Sequence, residues 1–308
     1  MLKTRSVILA KLETTYRTDP TLSASTDAVL AENLSFAPTG AKMVEQAVVK
    51  NTLGPRKQVY GGSLWQITFD VKIKGSGAAG TAPEFGPLLQ ACGCGETVVA
   101  STSVTYAPAS SGIKSVYLEL YEDGKLYEFG GVRGDVTLKA EAGGAGMLSF
   151  TLTGHLEGIS DTALPSPTYD STVPAPFINA GFAIGGYAGV ISSLEMAFGN
   201  TVATPPSVNS DDGFGEIRIT NRDVTGSFDP EDVLIATHDW IAQWQASTAL
   251  ALATGTIGGT AGNRWALSMP AVSYREATPG DRDNIRTFQI GYGAHESSGD
   301  DQFSLAFT

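Results

Sequence analysis

The chain has 308 residues and a formal net charge of −12 at pH 7. That acid surplus excludes a surface that grips nucleic acid by neutralising phosphates, which needs an excess of Lys and Arg. Only 17% of residues are charged and 36 are glycine, a composition that predicts a surface covered in part by copies of the same chain.

In chain order, Met1 to Ser6 is followed by only four apolar residues, Val7 to Ala10, before Lys11. A signal peptide needs about 7–15 and a membrane helix about 20, so neither is expected. Leu9 to Tyr16 is a candidate helix. Residues 64–74 then alternate strictly, with Trp65, Ile67, Phe69, Val71 and Ile73 apolar and polar residues between them. This is the pattern of a half-buried antiparallel strand. Pro83 to Ala91 predicts a helix of one or two turns, limited by Pro87 and stopped by Gly93. Cys92 and Cys94 stand too close together to staple a fold of this size and read as free thiols of a reducing compartment. Two β-prone runs, Ser115–Glu122 and Lys125–Phe129, flank Asp123-Gly124, a strong hairpin signal because both turn residues tolerate positive φ. A further pair, Asp135–Glu141 and Met147–His155, is joined by the glycine-rich 142–146 segment. Consecutive strands of this kind predict a meander.

The chain length exceeds what one ordinary core fills, so one very large domain or two of ordinary size are expected. Residues 159–177 carry Pro165, Pro167, Pro174 and Pro176 and read as the connection, leaving domains at 1–158 and 178–308. Charge divides the same way. Residues 1–158 hold 14 basic and 15 acidic residues, whereas 159–308 hold 6 and 17, with no lysine. A strand at 214–222, a helix at 230–246 opened by Asp229-Pro230-Glu231-Asp232, and a hairpin at 264–293 repeat the order strand (64–74), helix (82–92) and hairpin (134–155). The fold class expected is therefore mainly β with a few short helices.

Several motifs carry less than they spell. Gly75-Ser76-Gly77-Ala78-Ala79-Gly80 matches a dinucleotide fingerprint, but the strand before it alternates, unlike the doubly buried first strand of a parallel sheet. Arg133-Gly134-Asp135 reads as an ordinary turn between strands. His155, His238 and His295 lack metal spacing, Cys92-Gly93-Cys94 has no second pair, and Asp211-Asp212-Gly213 and Asp300-Asp301 lack calcium-loop ligands. No nucleophile elbow is present. The expectation is a building block without cofactor, metal or catalytic residues. The four tryptophans, Trp65, Trp240, Trp244 and Trp265, sit at core-like spacings, which speaks against a carbohydrate-binding sandwich with exposed aromatics.

Leu9-Ala10-Lys11-Leu12-Glu13-Thr14-Thr15-Tyr16-Arg17-Thr18-Asp19-Pro20 resembles the opening of major tail tube proteins of long, non-contractile-tailed (siphovirus-type) bacteriophages. The stretches Phe69–Gly95, Val116–Gly134, Leu148–Gly158 and Leu194–Glu216 are similar to the same family, in the same order. The resemblance implies two tandem β-sandwich or partial-barrel domains, each with a flanking helix. It also implies assembly into stacked rings forming a hollow tube in the virion tail, made in the bacterial host cytoplasm. Implied partners are further copies of the chain, the tape-measure, tail-tip and tail-terminator proteins, and DNA that passes without specific binding. Six domains per ring favour a trimer over a hexamer. A distal-tail, tail-tip or decoration protein is the alternative.

Within that frame the basic, turn-rich segment Lys50, Asn51, Thr52, Leu53, Gly54, Pro55, Arg56, Lys57 is the candidate for contact with an adjacent ring. A negative bore repels phosphates, so Asp211, Asp212, Glu216, Asp281 and Asp283 are candidates to line it.

Overall fold

The computed structural model describes residues 2 and 4–308. Strands dominate it. β1 (Ser6–Leu12), β2 (Ala28–Val29) and β3 (Glu32–Thr39) lead through β4 (Met43–Val44) and β5 (Val59–Tyr60) into β6 (Leu64–Lys72). Helix α1 (Gly86–Ala91) precedes β7 (Cys94–Val99), β8 (Ser103–Pro108), β9 (Val116–Glu122), β10 (Lys125–Glu141) and β11 (Met147–Asp161). The second half holds β12 (Ala183–Ile184), β13 (Ile191–Ala197), β14 (Asn200–Ala203), β15 (Arg218–Arg222) and β16 (Thr225–Pro230). Helix α2 (Trp240–Gln245) is followed by β17 (Leu250–Ala253), β18 (Trp265–Arg282), β19 (Ile285–Ala294) and β20 (Ser304–Phe307).

The expected meander is present: β9, β10 and β11 pair in sequence, and β6 adds to the far side of β11. Glu122 faces Lys125 across Asp123 (φ 32°) and Gly124 (φ 105°). Both turn residues have positive φ, as this two-residue connection demands. Asp283 (φ 50°) and Asn284 (φ 64°) close β18 onto β19 in the same way.

One 16-stranded sheet, not closed into a barrel, runs through both halves. Two seams join them. Lys125–Glu141 is long enough to leave β9 and continue against β13, with Leu138 opposite Met196. At the other seam β20 pairs with β8, Ala306 opposite Thr105. Phe307 packs there on Phe85 and Tyr106, with ring centroids 5.6 and 6.0 Å away.

Alternation puts Ile67, Phe69 and Val71 of β6 in the main core, where Phe69 meets Phe150 of β11. α1 is a six-residue helix with Pro87 in its first turn and Leu88, Leu89 and Ala91 buried. The 159–177 connection is not a free linker. Its Phe177 stacks on Trp265 at 6.0 Å, and Leu164 and Tyr169 cover the small cluster of Val7, Leu9, Ala28, Tyr121 and Leu126.

Four expectations are corrected. Leu9 to Tyr16 is not helical: residues through Leu12 belong to β1, whose pairing with β9 and burial outweigh local helix preference. The helix expected from residue 230 is only Trp240–Gln245, capped by Asp239, which accepts from the Ala242 amide at 2.9 Å. The Asp229 carboxylate instead accepts from the Ser192 and Ser193 amides and from Arg282, so Asp229 and Pro230 close a strand. Arg133-Gly134-Asp135 lies within β10, not in a turn; a Cβ on Gly134 would sit 2.2 Å from the Thr151 carbonyl oxygen. Trp244 is 37% exposed rather than core, its Nε1 donating to the Arg275 carbonyl at 3.2 Å.

Candidate assembly surfaces

Between β3 and β6 the chain leaves the body as an arm. Every residue from 40 to 61 is exposed. Gly40 (φ 63°) and Gly62 (φ 106°) make the bends at its base, and a Cβ on Gly62 would lie 1.9 Å from the Asp212 carbonyl oxygen. Only glycine fits there. Lys42 anchors the base, its ammonium 4.0 Å from the Phe214 ring centroid and 3.3 Å from the Gly213 carbonyl.

Above the base the arm holds itself. Met43 pairs with Tyr60 and Val44 with Val59. Gln46 Nε2 donates to the Lys57 carbonyl at 3.0 Å, and Gln58 Nε2 donates to Glu45 Oε1 at 3.1 Å. All eight candidate contact residues, 50–57, form its outer part and are exposed, with Val49 and Leu53 wholly so. Lys50, Arg56 and Lys57 make no ion pair among the described residues. An extended arm with uncovered Met43, Val44, Val49, Leu53, Val59 and Tyr60 is an interaction surface in search of a partner.

The five acidic candidates fall into two places. Asp211, Asp212 and Glu216 lie on the loop before β15, which closes over the end of β1 and the β10–β11 hairpin. Asp212 is largely buried: Oδ2 lies 2.5 Å from His155 Nδ1, and Oδ1 accepts from Ser210 Oγ at 2.7 Å and from the Phe214 amide at 3.0 Å. Burial pushes its carboxyl pKa up, but these hydrogen bonds outweigh it and the net shift is downward. Glu216 Oε1 accepts from Arg133 at 2.8 Å, and this bond above all lowers its pKa. Asp211 is exposed and reaches Arg17 at 3.3 Å. Asp281 and Asp283 stand apart from these, exposed near the β18–β19 turn.

The junction around Asp212 uses residues whose importance the spacing did not reveal. Tyr16 OH lies 3.1 Å from His155 Nε2 and accepts from the Ile217 amide at 2.7 Å. Arg17 Nε donates to Glu157 at 2.6 Å. Glu13, buried, accepts from Ser115 Oγ at 2.5 Å and from the Gly131 amide at 2.7 Å. Burial is the larger effect on Glu13 and raises its pKa. Arg133 binds the Ile113, Lys114 and Ile217 carbonyls. Glu13, Tyr16 and Arg17 all lie within the 9–20 segment that resembles the opening of tail tube proteins. The network ties residues 13–17 and 133–157 of the first half to 210–217 of the second.

A second uncovered apolar surface lies on the segment between β16 and α2. Leu234 and Ile235 are 79% and 77% exposed at the rim of a groove of about 350 Å³, also lined by Val233, Trp240, Ile241 and Phe288. Among the described residues no helix is long and apolar enough to cross a membrane.

Comparison with curated proteins finds no match. The model of the phage tail tube protein family matches residues 3–294, nearly the whole chain. An open, β-rich body with an uncovered arm is the form expected of a subunit built to meet neighbours, and the chain belongs to the phage tail tube protein family.

Proposed function

We propose that this structural phage tail protein polymerises as stacked rings into the hollow tube of a long, non-contractile tail, through which DNA leaves the capsid. The exposed arm of residues 40–61 carries this reading. Its Val49 and Leu53 are fully exposed and its other apolar side chains about half exposed, and burying such surface between rings at about 25 cal/mol per Å² supplies a repeated driving force. Residues 50–57 form its contact tip. Each chain contributes two tail-tube units, residues 1–158 and 178–308 joined by 159–177, so three chains make a ring of six.

The acid surplus of residues 159–308 contributes to the bore in this reading. Asp211, exposed on the loop that Asp212 fastens, is its leading residue. A wall of this sign gives phosphates no counterion-releasing foothold. Asp212 and Glu216 support that loop from behind through His155 and Arg133. Tube length and closure fall to tape-measure, tail-tip and tail-terminator partners, with assembly in the host cytoplasm.

The ring count is tested by native mass spectrometry of rings released from tails. Three times the 32.1 kDa chain mass is expected. A ring of six chains contradicts the two-unit reading.

A further inference from the structure

The geometry points to a specific receptor for the arm: its tip docks in the groove between residues 232–241 and 285–288 of a second copy in the adjacent ring. This rests on the stacked-ring reading above. The arm offers fully exposed Val49 and Leu53, and the groove offers Leu234 and Ile235 beside a cavity of about 350 Å³. Both surfaces are too apolar to be left in water without a partner.

Charge selects this groove. Residues 46–60 carry Lys50, Arg56 and Lys57 and no acid. Segments 229–241 and 281–286 around the groove carry six acids and two arginines. Both arginines are already engaged, Arg282 with Asp229 and Glu231 and Arg286 with Asp232. Asp281 and Asp283 make no ion pair among the described residues, and Asp281 stands opposite Arg286, at the groove's edge. Asp281 at that edge, with Asp283 in the adjoining turn, thus offers carboxylate to an arm whose three cations make no ion pair among the described residues. These two acids thereby serve the ring face, leaving the bore to the Asp211 loop.

The groove wall also lacks partners of its own. His238 Nε2 and Trp240 Nε1 are buried and have no hydrogen-bond partner among the described residues. His238 is held between Tyr187 and Trp240, with ring centroids 4.5 and 4.1 Å away. Another apolar groove, about 450 Å³ around Val173, Ile178 and Thr256, has no charged residue in its lining and nothing to select a cationic tip. Because arm and groove are different surfaces of one chain, the contact is heterologous, the type that can propagate from ring to ring along a stack.

The test combines charge reversal with cross-linking. K50E/R56E/K57E and D281K/D283K should each lower the affinity of ring for ring about tenfold or more, read from pelletable filaments, while rings persist. Combining the two sets should restore filaments. Leu53→Cys with Ile235→Cys should give intermolecular disulfide ladders in filaments, whereas Leu53→Cys with Val173→Cys should not; native Cys92 and Cys94 are buried. Wild-type filament yield in both charge-reversed proteins, or ladders through Val173→Cys instead, overturns this docking and leaves ring stacking standing. A wild-type chain that forms neither rings nor filaments overturns both.

Discussion

Asp212 receives Ser210, His155 and the Phe214 amide on one carboxylate, and a lowered pKa is the consequence. Glu216, Asp223 and Asp229 are lowered as well, the first two chiefly by arginine hydrogen bonds. Carboxyls of this kind stabilise the fold above their unfolded values, and that contribution is lost as pH falls through the lower folded values. Glu13, Glu84, Glu119 and Asp135 are shifted upward, mainly by burial. For them the sign reverses: the fold gains stability as pH falls through their raised values. Thermal unfolding from pH 7 to 3 should therefore show a stability maximum on the mildly acidic side and a decline below about pH 4. Asp212→Asn should cost about 1–3 kcal/mol at pH 7 in denaturant unfolding and less at pH 3, because the contribution of a lowered carboxyl fades as pH falls toward its folded value. An equal loss at both pH values contradicts the assigned role of the carboxylate. The distant partners were not legible in the sequence, because the network joins residues as far as about 200 positions apart, as Tyr16 and Ile217 are.

Elements whose evidence is local were legible. The alternating strand, ending at Lys72, and the Asp123-Gly124 turn stand where the sequence places them, and the short Pro87 helix begins three residues later than expected, at Gly86. Where tertiary pairing competes with local preference, it wins. Asp229-Pro230-Glu231-Asp232 has every feature of a helix start, yet Ser192, Ser193 and Arg282 claim Asp229 and Phe228 is buried in a strand. Residues 9–12 likewise follow β9 rather than their own helix preference. The arm was legible as a basic loop, but its full exposure was not, because composition does not say how far a loop stands from the body. Replacing residues 46–57 with a short Gly-Ser linker should change folding stability by no more than about 0.5 kcal/mol, since these side chains touch little of the body. The same replacement should abolish filaments in the electron microscope. A large stability loss would mean the arm belongs to the fold rather than to assembly.

At the scale of the whole chain, composition and alternation revealed a β-rich architecture, and the family resemblance extends along nearly all of it. The seams were not visible, because strand pairing between distant segments leaves no periodic trace. The C-terminal β20 pairs with β8 some 200 residues earlier, and Phe307 fills the space against Phe85 and Tyr106. Phe307→Ala should cost about 3–5 kcal/mol in denaturant unfolding, far more than the arm replacement. An open sheet with a protruding arm makes sense in a subunit whose edges and apolar surfaces are covered by neighbours. Cryo-electron microscopy of isolated tails tests that most directly. The account predicts this chain repeating along a hollow cylinder, three copies per ring, each arm crossing to the next ring. A single copy or ring at one position of the tail, with no repeat along its length, contradicts it.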